Sequence, residues 1–181
     1  MRTRHNMIRA GALLLVAATF GVARPAVAQQ AAKLDDPTIV AIFDAANTWD
    51  IETGGIAVKK GSTKDVRDFG AMLVRDHTGV RKQGRDLAKK LGVTPTPPKD
   101  FAMAKDHYAA VKKLNGLKGK AFDRAFLEQE VAYHKAVIDA VNTTLMPALK
   151  NQEVKDLVTK VAPAFKAHED AAQDKLNKMG M

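Results

Sequence analysis

The sequence predicts an all-α protein, an up-down four-helix bundle in which a long crossover carrying a short extra helix joins two helical hairpins. Apolar residues recur at helical spacing in four long segments, and no segment shows the alternation typical of a strand. A stretch with Pro95, Pro97 and Pro98 divides the four segments into two pairs, because prolines at this density exclude a continuous helix.

The N-terminus has the features of a secretory signal. Arg2, Arg4 and Arg9 precede the apolar run Ala10–Ala23, and Ala26-Val27-Ala28 fits a cleavage site. We therefore expect residues 1–28 to be a signal peptide, residues 29–36 a flexible lead-in, and residues 37–178 a single bundle domain. The mature protein would be exported, either free in the periplasm or attached to the outer membrane.

The composition of the chain indicates which kinds of binding partner and stabilisation to expect. Cleavage after Ala28 removes four arginines and no acidic residue, which lowers the formal charge from +9 to +5. That excess does not indicate nucleic-acid binding. After cleavage no segment is apolar enough for a transmembrane helix. The chain has no cysteine, so an exported form would depend on packing, metal binding or assembly rather than on disulfides.

Helix boundaries follow from capping signals. Asp36-Pro37 is predicted to start the first helix, with Asp36 as N-cap, and Gly61 to stop it. The second helix is predicted from Ser62, its expected N-cap, to Gly92. A short crossover helix is predicted over 100–114 and a third long helix over 122–145. Asn151 is the expected N-cap of the fourth, which Pro163 should kink.

Each long helix carries titratable side chains on its apolar face. In the third helix Glu130 and His134 are four residues apart, so their side chains can meet. The corresponding residues of the other helices are Asp50, His77 and His168, with Asp76 on the flank. Their distances from the turns predict similar heights within each hairpin, and hence one interior cluster.

Two interpretations of this cluster compete. Imidazole and carboxylate groups suit iron, zinc, copper or manganese, and bundle interiors commonly hold such sites. Alternatively, the carboxylates hold the histidines in a metal-free hydrogen-bond network that fixes helix register. The Glu-x-x-His pattern of di-iron bundles is absent, because Val74, Val131 and Phe165 stand three residues before the histidines. His107 and the lysines around it are expected to form a solvated face.

The sequence resembles the bacterial domain-of-unknown-function 4142 family from about Pro37 to Leu176. The matching positions include Phe43, Asp50-Ile51-Glu52, Gly54, Ile56-Ala57, Val66-Arg67, Phe69, Met72-Leu73-Val74, Asp76-His77-Thr78, Gly119, Phe122-Asp123, Phe126-Leu127, His134, Pro163 and His168. This resemblance implies an exported, ferritin-like four-helix bundle without a settled activity. Asp50 stands where the family usually has Glu, Glu130 where Gln is frequent, and Phe126 where Tyr is common.

Three functional hypotheses follow. The first is an envelope binding or stress-related domain whose cluster of Asp50, His77, Glu130, His134 and His168 binds a transition metal, with Asp76 supporting it. The second is a non-metal structural or interaction module of the envelope. The third and weakest is a metal-dependent oxidoreductase. The sequence favours a binding domain over an enzyme, predicts no catalytic residue and identifies no envelope partner.

Overall fold

The computed structural model describes residues 34–98 and 101–180, and throughout these ranges the regular structure is helical. The helices are α1 (Asp36–Lys60), α2 (Lys64–Lys90), α3 (Ala102–Gly116), α4 (Gly119–Ala140), α5 (Met146–Ala148) and α6 (Gln152–Met179). A π-helical segment, Val141–Leu145, connects α4 to α5. The predicted signal peptide lies outside the described residues, as does most of the predicted lead-in. None of the described helices combines the length and the apolar character needed to cross a membrane.

The four long helices form a helical bundle. The helix α1 packs along α2, and α4 packs along α6, while α2 meets α6 and α1 meets α4. Large side chains fill the interior, including Phe69, Phe122 and Phe126, each at most 2% exposed. The ring of Phe126 lies 5.9 Å from that of Phe69 and 6.1 Å from that of Phe122. The shorter α3 lies against α1 and α4 and contributes the buried Leu114 to this interior.

The hairpin of α1 and α2 depends on two glycines. A Cβ atom on Gly70 would lie 2.6 Å from the Gly54 carbonyl oxygen, and one on Gly54 would lie 2.8 Å from the Gly70 carbonyl oxygen. Both distances are shorter than a real contact, so only hydrogen at these positions permits this approach. The close packing brings the inward faces of α1 and α2 together, which is where Asp50 and His77 lie.

Two predicted N-caps are wrong by one residue. Asp35, not Asp36, caps α1 by accepting a hydrogen bond from the Thr38 amide at 3.1 Å. The Asp36 carboxylate instead accepts hydrogen bonds from the amides of Lys150 and Asn151, at 2.9 and 3.0 Å. It thereby ties the start of α1 to the start of α6.

Thr63, not Ser62, caps α2 through its side chain. Ser62 is used differently, because its amide donates to the Asp123 carboxylate at 2.8 Å and its hydroxyl donates to the same group. The fully buried Asp123 therefore fastens α4 to the turn between α1 and α2. The prediction for Asn151 is confirmed, since its side chain accepts from the Val154 amide.

Candidate metal centre

The predicted cluster residues converge in the bundle interior. Asp50, His77, Glu130, His134 and His168 come from all four long helices, and each is at most 4% exposed. Two overlapping triads form. One consists of His77, His134 and His168, and the other of Asp50, Glu130 and His134. Within each triad, every residue offers one ligand-type atom that lies within 4.8 Å of those from the other two. These groups have the composition and spacing to hold a metal ion.

The hydrogen-bond partner of His77 determines which ring nitrogen carries its proton. The amide nitrogen of Asn47 donates to the Phe43 carbonyl oxygen at 2.8 Å, so its Oδ1 must be the atom that faces His77. His77 Nδ1 lies 3.0 Å from this Oδ1 and therefore donates. In the neutral ring, the lone pair is then on Nε2, which points at His168.

The same reasoning applies to the other two histidines. His134 Nδ1 lies 2.9 Å from the Glu130 carbonyl oxygen and must donate to it, which places the lone pair on Nε2. His168 Nε2 lies 3.2 Å from Asp76 Oδ2. The Arg75 side chain holds the pKa of Asp76 below its usual value, so this carboxylate is ionised and accepts. The His168 lone pair is therefore on Nδ1.

Two of these lone pairs face each other. His77 Nε2 and His168 Nδ1 are 3.2 Å apart. Two lone pairs at this distance repel unless a proton or a cation lies between them. Nitrogen ligands stand about 2.0–2.1 Å from a zinc ion, so a pair subtending an angle of about 100° at the metal is separated by about 3.2 Å. The separation therefore suits one shared cation.

On the side of the cluster formed by Asp50, Glu130 and His134, several buried polar atoms have no hydrogen-bond partner among the described residues. When both carboxylates are ionised, Asp50 Oδ1 and Oδ2 and Glu130 Oε2 receive no hydrogen bond from any described residue, and His134 Nε2 has no donor either. Asp50 Oδ1 is 4.0 Å from His134 Nε2. Thr53 donates only to the other Glu130 oxygen, Oε1, at 2.8 Å. Unpaired buried carboxylates are costly, and a cation would relieve them.

Burial dominates the electrostatics of the centre. It lowers the pKa of His77 to about 2 and that of His134 to about 4, and it also lowers the pKa of His168, although Asp76 opposes that shift. The three rings are therefore neutral near pH 7 and keep their lone pairs. Burial raises the pKa of Glu130 to about 7 and, together with the Glu130 charge, raises the pKa of Asp50. A proton on either carboxyl group can be shared with the other.

Sequence reasoning missed three polar residues of this region. Asn47 and Thr53 are 0% and 4% exposed, and they lie three residues before and after Asp50 on the same face of α1. That spacing was the available signal. Tyr133 donates through its hydroxyl to the Ala46 carbonyl oxygen at 3.1 Å.

The expectation that His107 belongs to a solvated face is wrong. His107 is 4% exposed, its Nε2 lies 2.8 Å from Glu52 Oε2, and its ring stacks on that of Trp49. These contacts hold α3 against α1. His107 does not belong to either histidine–carboxylate triad of the interior.

Fold and site together define a helical-bundle protein with a buried histidine–carboxylate cluster. Comparison with known families agrees with the sequence resemblance. The model of the family "Domain of unknown function (DUF4142)" matches residues 22–174, so the chain belongs to this family.

The fold also has a solved counterpart. The crystal structure of a DUF305 fragment from Deinococcus radiodurans has a TM-score of 0.69 and 14% sequence identity, covering 78% of this chain and 95% of that chain. At this identity the likeness concerns the fold alone. No curated protein matches the chain.

Proposed function

We propose that this chain is an exported, ferritin-like bundle protein that binds one transition-metal ion at the interior cluster. The three histidine nitrogens would be ligands, with Asp50 and Glu130 supplying carboxylate oxygens and neutralising charge. The ion is iron, zinc, copper or manganese, the metals that accept imidazole together with carboxylate. Export is supported by the signal-like sequence of residues 1–28.

The observation that carries this proposal is the set of unpaired buried atoms on Asp50, Glu130 and His134. A purely structural network would be expected to pair them, because an unsatisfied buried polar group costs about 1–3 kcal/mol and more when it is charged. A cation would pair with one atom of each of these three residues at once. The protonated nitrogens of the three histidines already donate to Asn47, the Glu130 carbonyl and Asp76, as in known metal sites.

One ion fits better than two. His134 belongs to both triads, yet its Nδ1 is committed to the Glu130 carbonyl, which leaves a single lone pair. The two triads therefore describe two sides of one site. Three histidine nitrogens and one carboxylate oxygen would complete a four-coordinate ion and leave little room for a substrate, so the arrangement favours binding or storage over turnover.

A metal-free structural role remains the second candidate, and one observation favours it. Asn47, His77, His168 and Asp76 form a continuous chain of contacts at 3.0, 3.2 and 3.2 Å. One additional proton between the two rings would complete it. Such a chain would fix the register of α1, α2 and α6 without any ion.

Thermal unfolding of tag-free protein separates the two candidates. A ligand that binds only the folded state stabilises it by about 2.7 kcal/mol at 100 times its dissociation constant. We expect one of the four metals to raise the melting temperature of the wild type and of His107→Gln, the control outside the cluster. His134→Ala should abolish the rise. A wild-type melting curve unmoved by all four metals and by a chelator would support the structural role instead.

A further inference from the structure

We infer that the protein has a second binding site, an apolar groove beside the cluster that takes a small apolar molecule about the size of a substituted benzene. The groove lies between α1, α6 and the end of α4, with Met103 of α3 at its edge. Its walls include Phe43, Val137, Val141, Leu145 and Phe165. Of its fifteen lining residues only Asn142 and Lys166 are polar. This inference is independent of the proposed metal binding.

One wall of the groove is formed by an irregularity in the backbone. Pro147 has no amide hydrogen to donate, and the Met146 amide donates to the Val141 carbonyl oxygen five residues back. The resulting π-helical segment contributes Val141, Asn142 and Leu145 to the groove. Single π-helical turns inside α-helices are frequent at functional sites. This wall of the groove is therefore a local departure from regular α-helical geometry.

The volume of the groove suits a small molecule better than a macromolecule. The cavity volume is about 180 Å³. An apolar cavity of about 150 Å³ in another protein stays dry and binds benzene. A standard interface with a macromolecule takes about 20–30 residues from each side, more than the fifteen that line the groove. A second copy of the chain would therefore be poorly held, whereas a single aromatic ring is enclosed on several sides.

The groove adjoins the cluster through one side chain. Phe165 lines the groove, and its ring centre lies 5.3 Å from that of His77 and 6.0 Å from that of His134. A molecule in the groove would thus contact the ring that covers the histidines without reaching them. The two polar lining residues of the groove, Asn142 and Lys166, are exposed at its rim, so the expected ligand is apolar and uncharged.

Toluene is a suitable probe, measured by thermal unfolding and by methyl NMR of the metal-free protein. We expect a saturable rise in melting temperature, with chemical-shift changes at Met103, Val137 and Val141. Ala140→Leu and Ala162→Leu place bulk in the groove and should each abolish the rise while retaining cooperative unfolding. Ala136→Leu, exposed on α4 and outside the groove, is the matched control and should bind as the wild type does.

The toluene measurements can support or overturn the inference. The inference is overturned if toluene leaves the wild-type melting temperature unchanged, or if both filled variants respond as the control does. It is also overturned if sedimentation shows a dimer that Ala140→Leu and Ala162→Leu dissociate, because the occupant would then be a second copy. Since the metal is absent throughout, these outcomes do not depend on the proposed metal binding.

Discussion

His77 Nε2 and His168 Nδ1 face each other across 3.2 Å in the bundle interior, and the partners of both rings direct a lone pair to each of these nitrogens. Asn47 accepts a hydrogen bond from the N–H group of the His77 ring, and Asp76 accepts one from that of the His168 ring. The facing pair comes from α2 and α6, which belong to different hairpins. A cation between the rings would therefore link the two halves of the bundle.

Asn47 is predicted to position His77 rather than to bind the ion. Asn47→Leu removes the acceptor for His77 Nδ1, so metal affinity should fall about 10–100-fold, the usual cost of losing such a partner. Asn47→Asp keeps an acceptor at the same place and should retain most of the affinity. Isothermal titration with zinc measures both. Equal affinities in wild type and Asn47→Leu would show that His77 needs no such orientation.

Glu130 should make the folding stability of the metal-free protein depend on pH. Its pKa is about 7 in the folded protein against 4.5 for an unperturbed glutamate. Between these two pKa values the folded state holds a proton that the unfolded state releases. The contribution of Glu130 to folding stability is therefore fully present below pH 4.5 and is lost as pH rises through 7.

Replacing Glu130 by Gln removes this titration. The stability of the wild type relative to Glu130→Gln should therefore fall by up to about 3 kcal/mol between about pH 4 and pH 8, measured by denaturant unfolding with a chelator present. The control is Glu128→Gln, which removes an exposed carboxylate from the same helix. If the Glu130→Gln and wild-type stabilities change in parallel with pH, the carboxyl group is not destabilised by burial.

Two glycines of α2 should respond to alanine in opposite directions. A Cβ atom on Gly70 would lie 2.6 Å from the Gly54 carbonyl oxygen, so Gly70→Ala should force α1 and α2 apart and cost about 1–3 kcal/mol. A Cβ atom on Gly79 meets nothing within 4 Å. Gly79→Ala should stabilise the helix by roughly 0.5–1 kcal/mol. Urea unfolding compares them, and a tolerated Gly70→Ala would contradict the close approach.

Processing of the N-terminus is the remaining prediction. If residues 1–28 are a signal peptide, the exported protein should begin at Gln29, because Ala26-Val27-Ala28 is the good cleavage site after the apolar run. Intact-mass spectrometry of protein recovered from the envelope measures this. A mass that includes the basic residues Arg2, Arg4 and Arg9 would rule out cleavage.

Helical periodicity was sufficient to place the main side chains of the cluster. Asp50, His77, Glu130, His134 and His168 each sit among apolar residues at helical spacing, which fixes the face on which they lie. Their convergence then follows from packing four such faces together. Asn47 and Thr53 were missed because Asn and Thr within a helix give no distinct signal unless their i±3 relation to Asp50 is considered.

Other features depend on tertiary contacts that periodicity does not encode. Two capping residues follow each other at the start of α1 and again at the start of α2, so the sequence does not decide between them. Asp36 instead binds the amides of Lys150 and Asn151. Ser62 instead binds Asp123. His107 is buried because the crossover brings α3 back onto Glu52 and Trp49. The periodicity of apolar residues also does not predict the π-helical segment, although Pro147, which follows it closely, is visible in the sequence.

Anomalous diffraction from crystals of tag-free protein grown with zinc tests the central claim most directly. The proposal predicts one ion per chain, with nitrogen ligands at about 2.0–2.1 Å, bound by His77 Nε2, His134 Nε2 and His168 Nδ1. An oxygen of Asp50 or Glu130 should complete the coordination. Zinc found only on surface side chains, with the interior cluster showing no anomalous peak, would contradict it.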